Sequence, residues 1–195
     1  MEKTTRQEQK EKTRAGLISQ AEILFAKYGI SQTTTAEVAK ALRVSHGTVF
    51  IHFSTRDDLV LAVVEKFGER LSAELGKRFS DELSLREMLQ AHVAVLSEFE
   101  DFYLRLISES QNLSPQIRGI LYAMNSSLSY RFYRASKNSM KEGRIKKIEQ
   151  APFFNIWLSL LHYHIQNRDL FSEKTPLLKE MGNDLIRQFL NLIKT

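Results

Sequence analysis

Between Val44 and Phe53 the chain reads "VSHGTVFIHF". It holds two imidazoles, two hydroxyls and a glycine within eight residues. If Val49 and Phe53, four apart, face inward, then His46, Thr48 and His52 face outward, and Gly47 permits close approach by another molecule. These groups are hydrogen-bond donors and acceptors rather than a catalytic set. The chain has no cysteine, no Gly-rich phosphate loop and no Gly-x-Ser-x-Gly elbow. His162 and His164 are two apart, so on a helix they point about 200° from each other and do not make the i, i+4 pair of a helical zinc site. No cofactor, metal or catalytic residue is expected.

The elements that must position this stretch are helical. Leu17, Ile18, Ala21, Leu24, Phe25 and Tyr28 fall at three- and four-residue steps, which predicts a helix over about 10–28, ended by Gly29. "TTTAEVAKAL" predicts a second helix: Thr34 and Glu37 form a capping box, and Val38, Ala39 and Leu42 its inner face. About eight residues are too short to stand alone, so it must pack on its neighbours. Arg43-Val44-Ser45 is a tight connection, with Ser45 an N-cap for a third helix over 46–53. Gly, Thr, Val and Ile are poor helix formers. Such a helix persists when its inner face is packed and its outer face is used. Two short helices on a three-residue turn are a helix-turn-helix, whose second helix enters the DNA major groove.

Charge points the same way. Residues 1–56 hold nine Lys/Arg against five Asp/Glu, while 57–195 hold nineteen against eighteen, so most of the net +5 lies in the first quarter of the 195 residues. A basic segment attracts polyanions, although a solvated basic tail has the same composition.

Together with the helix before it, "TTTAEVAKALRVSHGTVFIHFSTRDDL" resembles the DNA-binding region of TetR/AcrR-type transcriptional repressors, over residues 10 to about 62. Arg43 stands where the family usually has Gly, Phe50 where it has Tyr, and His46 where Lys is common. The resemblance implies that Thr34 binds a DNA phosphate, that Ser45, His46, Gly47 and Thr48 meet bases and backbone, and that His52 and Arg56 contact phosphates. Phe50 occupies a contact position without the usual hydroxyl. On the residues alone, Thr34 and Ser45 read equally as caps, His46 and His52 as surface histidines, and Arg56 as a surface charge.

The expected fold is all-α, about nine helices: a helix-turn-helix DNA-binding domain over 1–54 and a helical ligand-binding and dimerisation domain over 55–195. Later helices are predicted at 55–79, 84–98, 100–111, 115–142, 151–168 and 174–194. This part holds most of the aromatics, which read individually as bundle core. The resemblance implies an effector pocket among them, with Phe99, Phe102, Tyr103, Tyr122 and Trp157 as candidates, and His92, Glu98 and Glu109 as polar members. Phe153 to Leu161 and the stripe Leu185, Ile186, Phe189, Leu190, Ile193 suggest an interface, and the resemblance implies a homodimer through helices 151–168 and 174–194.

Operator DNA and a small-molecule effector are the expected partners. The longest mostly apolar run is about half the roughly 20 residues of a membrane span, and "MEKTTRQEQKEKTR" lacks the apolar core of a secretory signal. A soluble cytoplasmic regulator without catalysis is expected. An all-helical enzyme or interaction protein with an incidental helix-turn-helix is the other reading.

Overall fold

The capping chemistry read from the sequence appears in the structure, a computed structural model that describes residues 2–173 and 176–195. Among them are nine α-helices: α1 (Glu2–Tyr28), α2 (Thr35–Leu42), α3 (His46–His52), α4 (Arg56–Arg78), α5 (Leu85–Ser97), α6 (Glu100–Glu109), α7 (Pro115–Lys141), α8 (Gln150–Gln166) and α9 (Leu177–Ile193). The all-α expectation holds. The expected starts at 10 and 174 do not. The polar segment before residue 10 is rich in Glu, Lys, Gln and Arg, all good helix formers, so α1 extends two turns further back. Residues 174–175 lie outside the described residues.

The chain packs as two units. One comprises Met1–Gly68 and Arg105–Ile120, the other Glu69–Leu104 and Leu121–Thr195. The boundary expected at 54/55 falls inside the first unit, and α4, α6 and α7 each contribute residues to both.

In the first unit α1 packs on α2, and α2 on α3. Leu17, Ala21, Phe25, Val38, Val49 and Phe53 are buried there, as their spacing predicts. Ile30 folds back into this core after Gly29, whose φ of 100° is the left-handed turn that ends α1. Tyr28 is instead exposed, with the Lys27 ammonium 4.9 Å from its ring centroid. It sits in the last turn, where the stripe has rotated off the core.

In the second unit α9 packs on α5 and α8. Gly182 sits where α9 crosses α5, so close that a Cβ would overlap Cγ1 of Val93. Pro176 offers no side-chain cap to α9. The buried carboxylate of Glu100 takes that place, accepting from Leu177 N–H at 2.7 Å and Leu178 N–H at 2.8 Å. The stripe Leu185, Ile186, Phe189 and Ile193, expected to face a partner, is buried within this unit, as are Phe153, Phe154, Trp157 and Leu161. Phe153 and Trp157 both pack against Phe189, with ring centroids 5.4 and 5.3 Å apart, so the apolar surplus of α8 is taken up by α9 of the same chain.

Candidate DNA-binding face

Thr34 is the N-cap of α2. Its Oγ1 accepts from Glu37 N–H at 3.3 Å, and the Glu37 carboxylate accepts from Thr34 N–H at 2.8 Å. The Thr34 N–H, and then the Thr34 hydroxyl donating to the same carboxylate at 2.8 Å, hold the Glu37 carboxyl below its ordinary pKa. At the end of α2, Arg43 N–H donates to Lys40 O and Val44 N–H to Ala39 O, at 3.1 and 3.0 Å. That closing pattern requires a left-handed residue, and Arg43 has φ 58° and ψ 41°. The family's glycine at this position has its explanation in that geometry.

Ser45 caps α3, accepting from Thr48 N–H at 3.2 Å while its hydroxyl meets that of Thr48 at 2.7 Å. Val49 and Phe53 anchor α3 inward. The opposite side is open. Phe50 is 47% exposed and Ile51 71%, and a Cβ on Gly47 would meet only Ser45 Oγ, at 3.9 Å. His46 hydrogen-bonds Thr35 through Nε2 at 2.9 Å and packs edge-on to Phe50, which ties the start of α3 to the start of α2.

His52 behaves differently from the surface imidazole expected of a phosphate contact. Its Nδ1 is turned inward without a hydrogen-bond partner among the described residues. Burial, and then the charges of Lys10 and Arg14, hold its pKa below the ordinary value, favouring the neutral ring.

No role was expected for the beginning of α1, yet α1 and α3 form an open groove of about 1200 Å³. Arg6, Lys10 and Thr13 line it from α1, and Thr48, Ile51 and His52 from α3. The signal was there: Arg6, Lys10 and Arg14 are four apart, one basic face of a helix. Arg56 is also placed unexpectedly. Its guanidinium donates inward to the carbonyl oxygens of Thr33 and Ile30.

The five residues proposed for an effector pocket all lie in the second unit, in different surroundings. Phe102, Tyr103 and Trp157 are buried, Phe99 lies under the Arg70 guanidinium, and Tyr122 is 67% exposed. Trp157 Nε1 donates to His92 Nδ1 at 3.2 Å, and the Tyr103 hydroxyl pairs with His162 Nε2 at 2.7 Å. Burial pushes both histidines down to about 4 and the tyrosine up. Of the proposed polar members, only His92 is in the core. Glu98 pairs with Arg78 at 2.9 Å on the surface. Glu109 belongs to the first unit, where its carboxylate accepts from Ile30 N–H and Ser31 N–H at 2.8 and 2.6 Å, capping the turn after α1. A small cavity of about 90 Å³ lies between α4 and α7, walled by Leu71, Leu75, Phe79, Met124 and Leu128 together with Ser72, Ser127 and Arg131. None of the five lines it.

On α3 the open outer face is that of Gly47, Phe50 and Ile51, with the cations Arg6 and Lys10 of α1 beside it. Among the described residues no three His, Cys, Asp or Glu are grouped to hold a metal. Residues 17–63 match the sequence profile described as bacterial regulatory proteins, tetR family. Over these residues the chain is similar to the helix-turn-helix domain of the TetR family.

Curated relatives share this end of the chain. The HTH-type transcriptional repressor Rv3405c of Mycobacterium tuberculosis is 33% identical over 88 residues, 45% of this chain and 46% of the relative. The HTH-type transcriptional regulator AcrR of Shigella flexneri is 35% identical over 98 residues, 48% of this chain and 45% of that one. The chain thus spans about half the length of the curated relatives it matches. The TetR fold extends over nearly all of it: a bacterial regulatory protein of the tetR family from Rhodococcus RHA1 superposes with a TM-score of 0.75 at 18% identity, covering 93% of this chain and 96% of that one.

Proposed function

We propose that this protein is a DNA-binding transcriptional repressor that binds a palindromic operator as a homodimer and is released by a small, largely apolar effector. The observation that carries the reading is the open outer face of α3, where Gly47, Phe50 and Ile51 have no covering element, in the segment that matches the TetR profile. A weakly helical segment kept open in this way fits a surface that meets another molecule. Ser45, His46, Gly47, Thr48 and Phe50 meet the groove, and Thr34 presents the start of α2 to a phosphate. His52 acts as a neutral donor, and Arg56 acts from behind by fixing the Thr33 carbonyl.

Homodimerisation falls to the outward sides of α8 and α9, where Ile156, Tyr163 and Leu192 are exposed. Two-fold symmetry presents two recognition helices to two half-sites. The effector enters by enlarging the cavity at Leu71, Phe79 and Leu128. Because α4 belongs to both units, it is the element through which effector and DNA oppose each other, and the coupling is reciprocal. No catalysis is assigned. Among the described residues no helix is long and apolar enough to cross a membrane.

The test is to find an effector by thermal shift and titrate it with and without operator DNA. DNA is expected to weaken effector binding by a factor matching a coupling of about 1–3 kcal/mol. Equal affinity in both titrations contradicts the release mechanism.

A further inference from the structure

The near-neutral average of residues 57–195 conceals a second basic concentration. Arg131, Arg134, Lys137 and Lys141 step by three, three and four along α7, one face of a helix. Like charges at this spacing destabilise a helix. All four line one wall of an open cleft of about 1110 Å³, and Arg144 joins them. The facing wall runs from Asp81 to Met88.

Against these five cations the lining holds three carboxylates, Asp81, Glu82 and Glu87, of which the first and last are committed. Asp81 pairs with Arg134 at 2.6 Å, Glu142 with Arg144, and Glu87 is held in the capping box of α5. Arg131 and Lys137 rest over the rings of Phe79 and Tyr133, and Lys141 has no ion pair among the described residues. Ser126, Ser127, Asn138 and Ser139 add hydroxyl and amide donors to the lining. Tyr130, 59% exposed, offers a flat ring beside them.

We propose that this cleft binds a phosphorylated small molecule bearing a planar ring, of the nucleotide class. The cations and hydroxyls of α7 take the phosphates, and Tyr130 stacks on the ring. The volume is slightly above the roughly 300–1,000 Å³ of small-molecule sites, as an open cleft would be, and far more than a single phosphate fills.

The test is calorimetric titration of the full chain with ATP and with pyrophosphate at low salt. Both are expected to bind, ATP more tightly. Lys137→Glu with Lys141→Glu should weaken both by at least tenfold, and Tyr130→Ala should weaken ATP alone. The milder Lys137→Gln with Lys141→Gln, checked for native circular dichroism, guards against misfolding and should weaken both in the same direction. Absence of binding at millimolar ligand, or undiminished binding in both charge variants, overturns the proposal. So does a charge variant that loses only duplex DNA, which would assign these cations to nucleic acid.

Arg43 is the one non-glycine residue with positive φ among the described residues, and it is exposed, with no side-chain hydrogen bond or ion pair there. Glycine would adopt this conformation without the steric cost of a Cβ. This puts a strained, exposed cation two residues before the cap of the recognition helix.

We infer that Arg43 contacts a DNA phosphate beside α3. This rests on the DNA-binding reading. Arg43→Gly is expected to raise the melting temperature, yet to weaken binding to all duplexes and lower the log–log salt slope by about one. Higher stability with unchanged affinity and slope overturns the inference while leaving DNA binding intact. Failure of the unaltered protein to bind any duplex overturns the DNA-binding reading itself, and this inference with it.

Discussion

Arg56, in the first turn of α4, donates from Nε to the carbonyl oxygen of Thr33 at 3.3 Å. A second bond, from Nη2 to Ile30 O, makes the guanidinium a brace across the turn that leads into Thr34 and α2. Hydrogen bonds from a charged donor contribute about 1.5–3 kcal/mol each. Both bonds are only part-buried, so water can replace the lost donor, and Arg56→Ala should lower stability by about 1–3 kcal/mol rather than the full sum. It should also weaken DNA binding while leaving the log–log salt slope unchanged. Arg56→Lys should not restore stability, because an ammonium lacks the planar fork that spans two carbonyls. A slope lowered by about one unit would show that Arg56 meets a phosphate itself.

Gly47 separates folding from binding. A methyl group there meets nothing in the protein nearer than Ser45 Oγ at 3.9 Å. Gly47→Ala should thus stabilise α3 by up to about 1 kcal/mol through helix propensity. If α3 lies against DNA, the same methyl intrudes, and affinity should fall at least tenfold. Denaturant melts and fluorescence anisotropy read the two effects independently. A variant that is more stable and binds as well would remove Gly47 from the interface.

How much of this face was legible in the sequence depended on whether the determining contacts were local. The capping box of Thr34 and Glu37, the Ser45 cap and the inward pair Val49 and Phe53 are all set within four residues, and spacing revealed them. Glu109 and Glu100 cap backbone segments far away in the chain, about 78 residues apart in each case, and no periodicity announces such a partner. Arg56 was legible as a cation, but the direction of its side chain was not. The apolar stripe of α9 was legible too. What covers it was not, because a stripe is the same whether its cover is α8 and α5 of the same chain or a second copy.

The buried imidazoles give the second unit a pH dependence. His92 and His162 have pKa values of about 4, below the ordinary 6.5, because burial disfavours the charged ring. Each folded-state pKa is depressed, so the unfolded chain binds protons first as pH falls. Stability should be fully present above about 6.5 and decline by up to about 1.4 kcal/mol per pH unit for each group toward pH 4. Protonation of His92 would also remove the acceptor of the Trp157 indole N–H. Urea melts between pH 7 and 5 measure this, and His92→Gln, which retains an acceptor, should flatten the slope. A pH-independent midpoint in the unaltered protein would contradict it.

Gly182 tests the crossing of α9 and α5. Helix propensity alone would make Gly182→Ala stabilising by about 1 kcal/mol. The overlap with Val93, a stiff β-branched neighbour in the core, outweighs that. The expected result is a net loss of about 1–3 kcal/mol, largely recovered by adding Val93→Ala. Thermal melts of the single and double variants decide it. Stabilisation by the single change would mean that the helices part more easily than their packing indicates.

The open face of α3 is proposed to read operator DNA. Its most direct test is selection, by the purified protein, of bound duplexes from random genomic fragments, followed by a salt titration of the enriched sequence. Enrichment of a two-fold symmetric site, with half-sites about one helical turn or a multiple apart, is expected, with affinity falling steeply as salt rises. Recovery of fragments with no shared sequence, or of none above background, would contradict the account.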